Sequence, residues 1–289
     1  MSTNSKKHHY LPQFYLRGFT DEKGFFTVYD KKLDIFRRSR PENNFYEKNK
    51  NLIDIHGEKS LFIENMYSHL ESTLAPVVAL IENSSHKDRI LSSDIIVRLK
   101  FFVEIMRWRN PALDDVYKTI VRRMKIEDFG LNVVSNNEEK SKEIEEIMMQ
   151  EPVVWQMLRP FMAAMGLGSM TNESYDANKW NITYQEGGFP ILGDFPIIFN
   201  PATIADNING EFIFPLSSQR TVIYSKTNGL KQLPDMFSID KDLAQIHLAK
   251  RFVCCKRGEY LKFMISLYKK DKHEFTDKFF ENIFLAVNR

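Results

Sequence analysis

Two histidines, a glutamine and an arginine stand among aromatic residues in Lys7-His8-His9-Tyr10-Leu11-Pro12-Gln13-Phe14-Tyr15-Leu16-Arg17-Gly18-Phe19. Imidazole near its own pKa can act as a general base or a metal ligand, and a guanidinium grips a phosphate or carboxylate with two parallel hydrogen bonds. If Pro12 opens a turn or two of helix, Gln13 and Arg17 fall at i and i+4 on one face. The plainer alternative puts His8 and His9 in a polar N-terminal arm and Arg17 in a structural ion pair. Buried Arg or His needs a partner on either reading.

A second cluster lies in Phe102-Val103-Glu104-Ile105-Met106-Arg107-Trp108-Arg109-Asn110-Pro111. Phe102, Met106 and Arg109 sit at i, i+4 and i+7, so Arg109 continues an apolar stripe inward while Arg107 and Trp108 face elsewhere. A guanidinium there is costly unless paired, which predicts a facing carboxylate; Glu64 and Glu71, seven residues apart, are the candidates. The pair reads either as a clamp between helices or as part of a catalytic site.

A third acid, Asp194, lies in Gly188-Phe189-Pro190-Ile191-Leu192-Gly193-Asp194-Phe195-Pro196-Ile197, at a strand end or turn. It can accept backbone N–H groups as a turn cap, or serve as a catalytic or metal-binding acid. A two-metal site would need Glu64, Glu71 or Glu186 beside it. Phosphate-binding glycine loops, H-E-x-x-H, G-x-S-x-G and P-C-x-x-C are all absent from the sequence, which leaves a site assembled from distant residues.

The elements that must position these groups follow from hydrophobic period. Phe25–Asp30 and Leu33–Phe36 predict a hairpin. From about Lys59, Ile63, Met66, Leu70, Leu74, Val77 and Ile81 predict an amphipathic helix that Pro76 should kink or interrupt. Ser92 or Ser93 caps a second helix carrying Ile95, Leu99, Phe102 and Met106, which stops at Asn110-Pro111. A third should run from Ala112 past Met124 and end before Gly130. A charged, loosely apolar stretch from Asn136 to Met149 follows, then a short helix from Val153 to Met165. From Lys179 the texture turns strand-like, with runs at Trp180–Tyr184, a turn at Gly187-Gly188, and Ile197–Phe199, Phe212–Phe214 and Val222–Tyr224 as an antiparallel sheet. A helix from Ser238, one strand-like run and a helix at Phe275–Ala286 complete the chain. The expected class is α+β, an N-terminal hairpin and helical half followed by an antiparallel sheet with C-terminal helices. The whole of 1–289 reads as one domain, with a soft subdivision between 1–175 and 176–289, since the hairpin can join the later sheet.

Composition limits the classes. There are 40 Lys and Arg against 38 Asp and Glu, with 43% hydrophobic and 27% charged residues and twelve Gly and eleven Pro, which excludes collagen-like and disordered chains. No run of about 18 apolar residues exists to span a bilayer, so no membrane partner is expected. Met1–His9 lacks a signal-peptide core, and the expected compartment is cytoplasmic. Cys254 and Cys255 are adjacent, a spacing that suits two buried thiols better than a metal site. Residues 1–40 and 250–289 each carry a net +5. If they share a face, that face can attract nucleic acid or another phosphate-bearing ligand; otherwise it is a solvated surface.

At these blocks together the chain resembles the bacterial family known as domain of unknown function 4238. Lys7 to Phe19 is similar to that family's His-His-Tyr-Val-Pro-x-Phe-Tyr-Leu-Arg-x-Phe opening. Asn44-Phe45-Tyr46, Glu64 and Glu71, Arg109-Asn110-Pro111 and Phe214-Pro215-Leu216-Ser217 resemble weaker blocks, so the likeness runs from His8 to about Val253. The family's Ser-Asp-Asn-Pro block stands here as Gly193-Asp194-Phe195-Pro196, keeping the acid and the proline while losing both flanking polar side chains. The resemblance implies a full-length single-family protein and carries no activity.

The residues themselves point to a phosphodiester-acting, nuclease-like enzyme. In it His9 would be base or ligand, Arg17 and Arg109 phosphate clamps, and Asp194 metal ligand or acid, with His8, Gln13, Glu64 and Glu71 in support. A divalent metal fits that chemistry without being specified by the sequence. The alternative is a non-catalytic binding or regulatory module in which the same residues form a buried polar brace, and a third is a nucleotide or small-molecule sensor. The discriminator is access: a brace is closed and fully paired, an enzyme pocket is not.

Overall fold

The computed structural model describes residues 7–55, 57–84, 91–135, 137–185, 189–203, 209–227, 233 and 235–288. Gly187, Gly188 and Glu186 lie outside the described residues. The described chain is α+β, with antiparallel sheets and helices covering them.

The elements run β1 (Lys7–His9), α1 (Gln13–Arg17), β2 (Phe26–Asp30), β3 (Ile35–Ser39), β4 (Tyr46–Lys48), β5 (Ile53–Ile55) and β6 (Glu58–Ser60). Then come the helices α2 (Phe62–Asn83), α3 (Ser93–Trp108), α4 (Asp114–Val121), α5 (Glu138–Gln150), α6 (Pro152–Leu158) and α7 (Phe161–Gly168). The remainder is β7 (Trp180–Tyr184), β8 (Leu192–Gly193), β9 (Ile198–Phe199), β10 (Phe212–Pro215), β11 (Arg220–Tyr224), α8 (Phe237–Leu248), β12 (Phe252–Cys255), α9 (Gly258–Lys270) and α10 (Asp277–Val287).

Two four-stranded antiparallel sheets, ordered β3-β2-β12-β8 and β7-β11-β10-β9, organise the core. The N-terminal hairpin joins the first sheet through β2, which pairs Val28 with Cys254 and Thr27 with Cys255 of β12. That sheet therefore draws strands from both sides of residue 175. Because strand side chains alternate, Phe26, Val28 and Cys254 enter one core while Tyr29, Val253 and Cys255 enter another beneath α8 and α9. The second sheet divides likewise: Phe212, Phe214, Val222 and Tyr224 join the first core, and Ile213 and Ile223 pack under α8 and α10. The first core thus lies between the two sheets and is filled from α1, α2 and α3. The adjacent cysteines are buried on opposite faces of one strand, and burial pushes the Cys255 thiol up to about 12.

Several sequence expectations shift. The first long helix begins at Phe62 rather than Lys59, because 58–60 pairs with 53–55 as a small hairpin. It runs through Pro76: the proline is exposed, and the carbonyl it leaves without a donor belongs to exposed Ser72, where water can serve it. Ser92 caps α3 as expected, accepting from the Ile95 N–H at 3.4 Å. The third helix stops at Val121 rather than past Met124. The charged stretch from 138 is helical, with no fully buried residue. Val153–Met165 is two helices, α6 and α7, broken where Pro160 cannot donate. Helix α9 and the strands β4 to β6 are further additions to the sequence reading.

Candidate functional site

The opening block is the hub of the molecule. Leu11, Tyr15, Leu16 and Phe19 are fully buried. Tyr15 stacks on Phe214 at 5.4 Å, meets Phe102 edge-on at 5.5 Å, and donates its hydroxyl to the Pro215 carbonyl at 2.5 Å. Gly18 packs closely, since a Cβ there would lie 3.2 Å from Ser217 Cβ and from the Tyr15 carbonyl oxygen. Buried Phe45 holds a φ of 56°, rare for a bulky residue, with its ring against Tyr10, Phe26 and Phe252.

The histidines are not a solvated arm. Strand β1 pairs with β4, and both imidazoles are buried. His8 Nδ1 accepts the Asn51 N–H at 2.7 Å, and Asn51 in turn donates its side-chain amide to Glu64 at 2.8 Å. His9 meets Gln13 at 3.5 Å through Nδ1 and lies 5.6 Å from the Tyr46 ring, while its buried Nε2 has no hydrogen-bond partner. Burial and the Arg109 guanidinium lower the His9 pKa, against the opposing pull of the Pro41 carbonyl and Glu64, so the ring is neutral at pH 7.

Gln13 and Arg17 share a face as the spacing required, with Arg17 donating to Gln13 at 3.4 Å. Arg17 is, however, exposed and 4.0 Å from Glu42; it does not enter a common pocket with Arg109. Arg109 is buried and paired with Glu71, and its guanidinium lies 4.4 Å from the centre of the Tyr67 ring. The predicted carboxylate is therefore Glu71, and Glu64 serves Asn51 instead.

Asp194 follows β8 directly and accepts three backbone N–H groups, from Lys250 at 2.7 Å, Arg251 at 2.8 Å and Phe252 at 2.9 Å. Both carboxylate oxygens are used, in the manner of a turn cap. Burial raises its pKa, while those N–H groups and Lys31 act the other way. Asn110 donates to the Asp194 carbonyl at 2.5 Å, tying this turn to the end of α3. Asp194 borders a cleft of 170 Å³ shared with Tyr10 and Tyr46, the latter also touching His9. Packing fixes the residues on either side of Asp194: a Cβ at Gly193 would come within 2.7 Å of the Gln245 carbonyl oxygen, and Phe195 packs on the main core.

Beside this hub lies a larger cavity of 410 Å³. Asn51 and Tyr67 belong to both, Asn51 through its bonds to His8 and Glu64 and Tyr67 through Arg109. Tyr67, Tyr117 and Trp155 form aromatic walls, and Lys50, Lys118, Arg122 and Arg159 supply four cations against the single carboxylate of Asp114. Asp114 is held by Lys50 and by Arg159 at 2.6 Å; burial raises its pKa, but the two cations outweigh this and hold it below the usual carboxylate range. Arg159 also donates to the Asn110 carbonyl at 2.8 Å, so the cavity wall and the Asp194 turn share one residue. Sequence reasoning missed these residues. Trp155 and Arg159 stand at i and i+4, the spacing that drew attention to Gln13 and Arg17, but Lys50, Asp114 and Tyr117 meet only through tertiary contact.

Among the described residues no group of three or more His, Cys, Asp or Glu side chains is placed to hold a metal ion, and no helix is long and apolar enough to cross a membrane.

Residues 7–246 match the family described as Protein of unknown function (DUF4238), and the chain belongs to that family. The matched span takes in the hub, the cavity and most of both sheets, and ends within α8. No curated protein and no solved structure matches the chain.

Proposed function

We propose that this protein is a ligand-binding module that takes a small anionic molecule into the 410 Å³ cavity, with the His, Arg and Asp blocks acting as the closed frame that holds its walls. The observation that carries the reading is the cavity's lining, four cations to one carboxylate around three aromatic rings. Its size falls within the ~300–1,000 Å³ range of ligand sites. The state of the hub supports the same reading. Arg109 is committed to Glu71, Asp194 to three backbone donors, and Arg17 to the surface. The test is a thermal-shift screen of anionic metabolites against the full chain. A binder raises the melting temperature in a concentration-dependent way, and an Arg122→Gln substitution at the cavity rim weakens the effect. Absence of a shift with every anionic compound at millimolar concentration would remove the reading.

A second reading, phosphodiester cleavage of RNA or DNA with or without a divalent metal, is favoured by one observation: His9 is neutral and its Nε2 lacks a partner. It requires the hub to open, because that nitrogen is buried. Incubation with total RNA, plasmid and single-stranded DNA in the presence of magnesium or manganese checks it. Cleavage abolished by a folded His9→Ala variant supports the enzyme, and equal cleavage by wild type and variant removes it.

A further inference from the structure

We infer that the anion is a nucleoside phosphate, its base and sugar inside the cavity and its phosphate at the rim on Arg122 and Lys118. The inference rests on the binding reading above and deepens it.

The walls are set before any ligand arrives. Trp155 donates its indole N–H to the Met149 carbonyl at 2.7 Å, and the Tyr117 hydroxyl donates to the Trp155 carbonyl. Tyr67 and Tyr117 are almost wholly buried and Trp155 is half-buried, so the walls are rigid and Trp155 is the most open ring against which a planar base can lie at little cost in side-chain entropy.

Charge is sorted by depth. Lys50 and Arg159, whose side chains are 24% and 12% exposed, are balanced by two carboxylates: Asp114 pairs with both, and Glu47 lies 3.0 Å from Lys50. A phosphate seated there would meet a carboxylate that both cations already satisfy. At the rim the situation is reversed: Arg122 and Lys118 are exposed. Lys118 has only fully exposed Asp115, 3.7 Å away, as its carboxylate partner among the described residues, a pair that solvent screens. Arg122 lies 5.4 Å from the Trp155 ring and has no carboxylate within salt-bridge distance among the described residues. A guanidinium near an aromatic ring and outside any salt bridge is suited to two-point recognition of phosphate, even with Glu127, Glu145 and Glu146 lining the next cavity. At the inner end each Asp114 oxygen accepts from one cation and keeps a second lone pair, which suits the hydroxyl and amino groups of a sugar or base. The arrangement therefore fixes orientation as well as class: ring inward, phosphate outward. A fatty acid would bury charge against its chain, a metal cation would meet a positive lining, and free phosphate would leave the aromatic walls unused.

The experiment is titration calorimetry on the full chain with AMP, GMP, CMP and UMP, with the matching nucleosides, and with a 5′-phosphorylated tetranucleotide that tells a free nucleotide from a strand end. Anilinonaphthalene sulfonate, an unrelated aromatic anion, is titrated alongside by fluorescence. We expect at least one mononucleotide to bind roughly tenfold or more tightly than its nucleoside, a difference that Arg122→Gln abolishes while nucleoside affinity stays unchanged. Lys118→Gln provides a second rim variant with the same expectation. Equal affinity for nucleotide and nucleoside, or no response to either rim substitution, overturns the inference. If no nucleotide binds but the sulfonate does, and Arg122→Gln weakens it, the inference falls and the anion-binding reading stands. If neither binds, both fall.

Discussion

The hub around α1 and the cavity beside it use the same residue types to opposite ends. In the hub, Arg109, Asp194, Glu64 and His8 each have a defined partner, and most of these groups are buried. In the cavity, charges are in excess of one sign and the outermost are exposed. Buried polar groups must be satisfied or the fold loses stability, whereas an exposed guanidinium can wait for a ligand. The contrast separates two meanings of a charged residue in a motif. On the proposed reading, the most motif-like side chains in this sequence brace the structure, and the residues that would meet a ligand are plain in sequence.

If that division is right, substitutions in the hub act on stability and substitutions at the rim on binding. The largest effect is expected for Arg109→Leu, which strands Glu71 and removes the cation from Tyr67. The loss should be about 3 kcal/mol by urea denaturation, and a loss below about 1 kcal/mol would mean that the pair is not a brace. Asp194→Ala leaves three backbone donors without their acceptor, at a cost of about 2–3 kcal/mol. Retention of wild-type stability there would make the carboxylate available for chemistry and revive the catalytic reading. Gly193→Ser drives a Cβ toward the Gln245 carbonyl and should cost about 1–3 kcal/mol of overpacking. A neutral outcome would show that α8 moves aside.

Smaller is the dependence on pH. The folded His9 ring resists protonation because it is buried beside Arg109, while the unfolded ring takes a proton near 6.5. Below that pH the unfolded chain therefore binds more protons, and stability declines as pH falls until the folded ring also protonates; above it the contribution is level. His9→Asn should flatten part of this slope in denaturation curves between neutral and mildly acid pH. His247, whose pKa burial also lowers, contributes to the slope that remains. An unchanged slope would show that His9 is solvated. The smallest change belongs to Arg122→Gln, expected within about 0.5 kcal/mol of wild type in stability. A larger loss would make the rim part of the brace and erase the contrast.

Much of the fold was legible from pattern. The stripe of Ile63, Leu74, Val77 and Ile81, the Ser92 cap and the strand at Trp180–Tyr184 are short-range signals, and each appears where its pattern puts it, although in the strand only Trp180 is fully buried. Boundaries slipped where a tertiary partner intervened: Lys59 reads as helical in isolation but pairs across a turn with Asp54. In the site, Arg109 was legible because an arginine on an apolar stripe has to find an anion, yet nothing local chose Glu71 over Glu64. The cavity was illegible, since Lys50, Asp114 and Arg159 are far apart in the chain and each alone looks like an ordinary surface charge.

Sequence alone determined the α+β class, the amphipathic helix that buries Ile63, Leu74, Val77 and Ile81, and the need of Arg109 for a carboxylate. These follow from periodicity, side-chain size and the cost of an unpaired charge, which act locally and leave a mark on composition. Tertiary structure decided that the hairpin completes a sheet with the C-terminal strand and that Asp194 is spent on backbone donors. It also left four cations and three aromatic rings facing one cavity. Those outcomes depend on which distant segments pack together, and a single chain's local pattern carries no record of a contact that long-range packing alone creates.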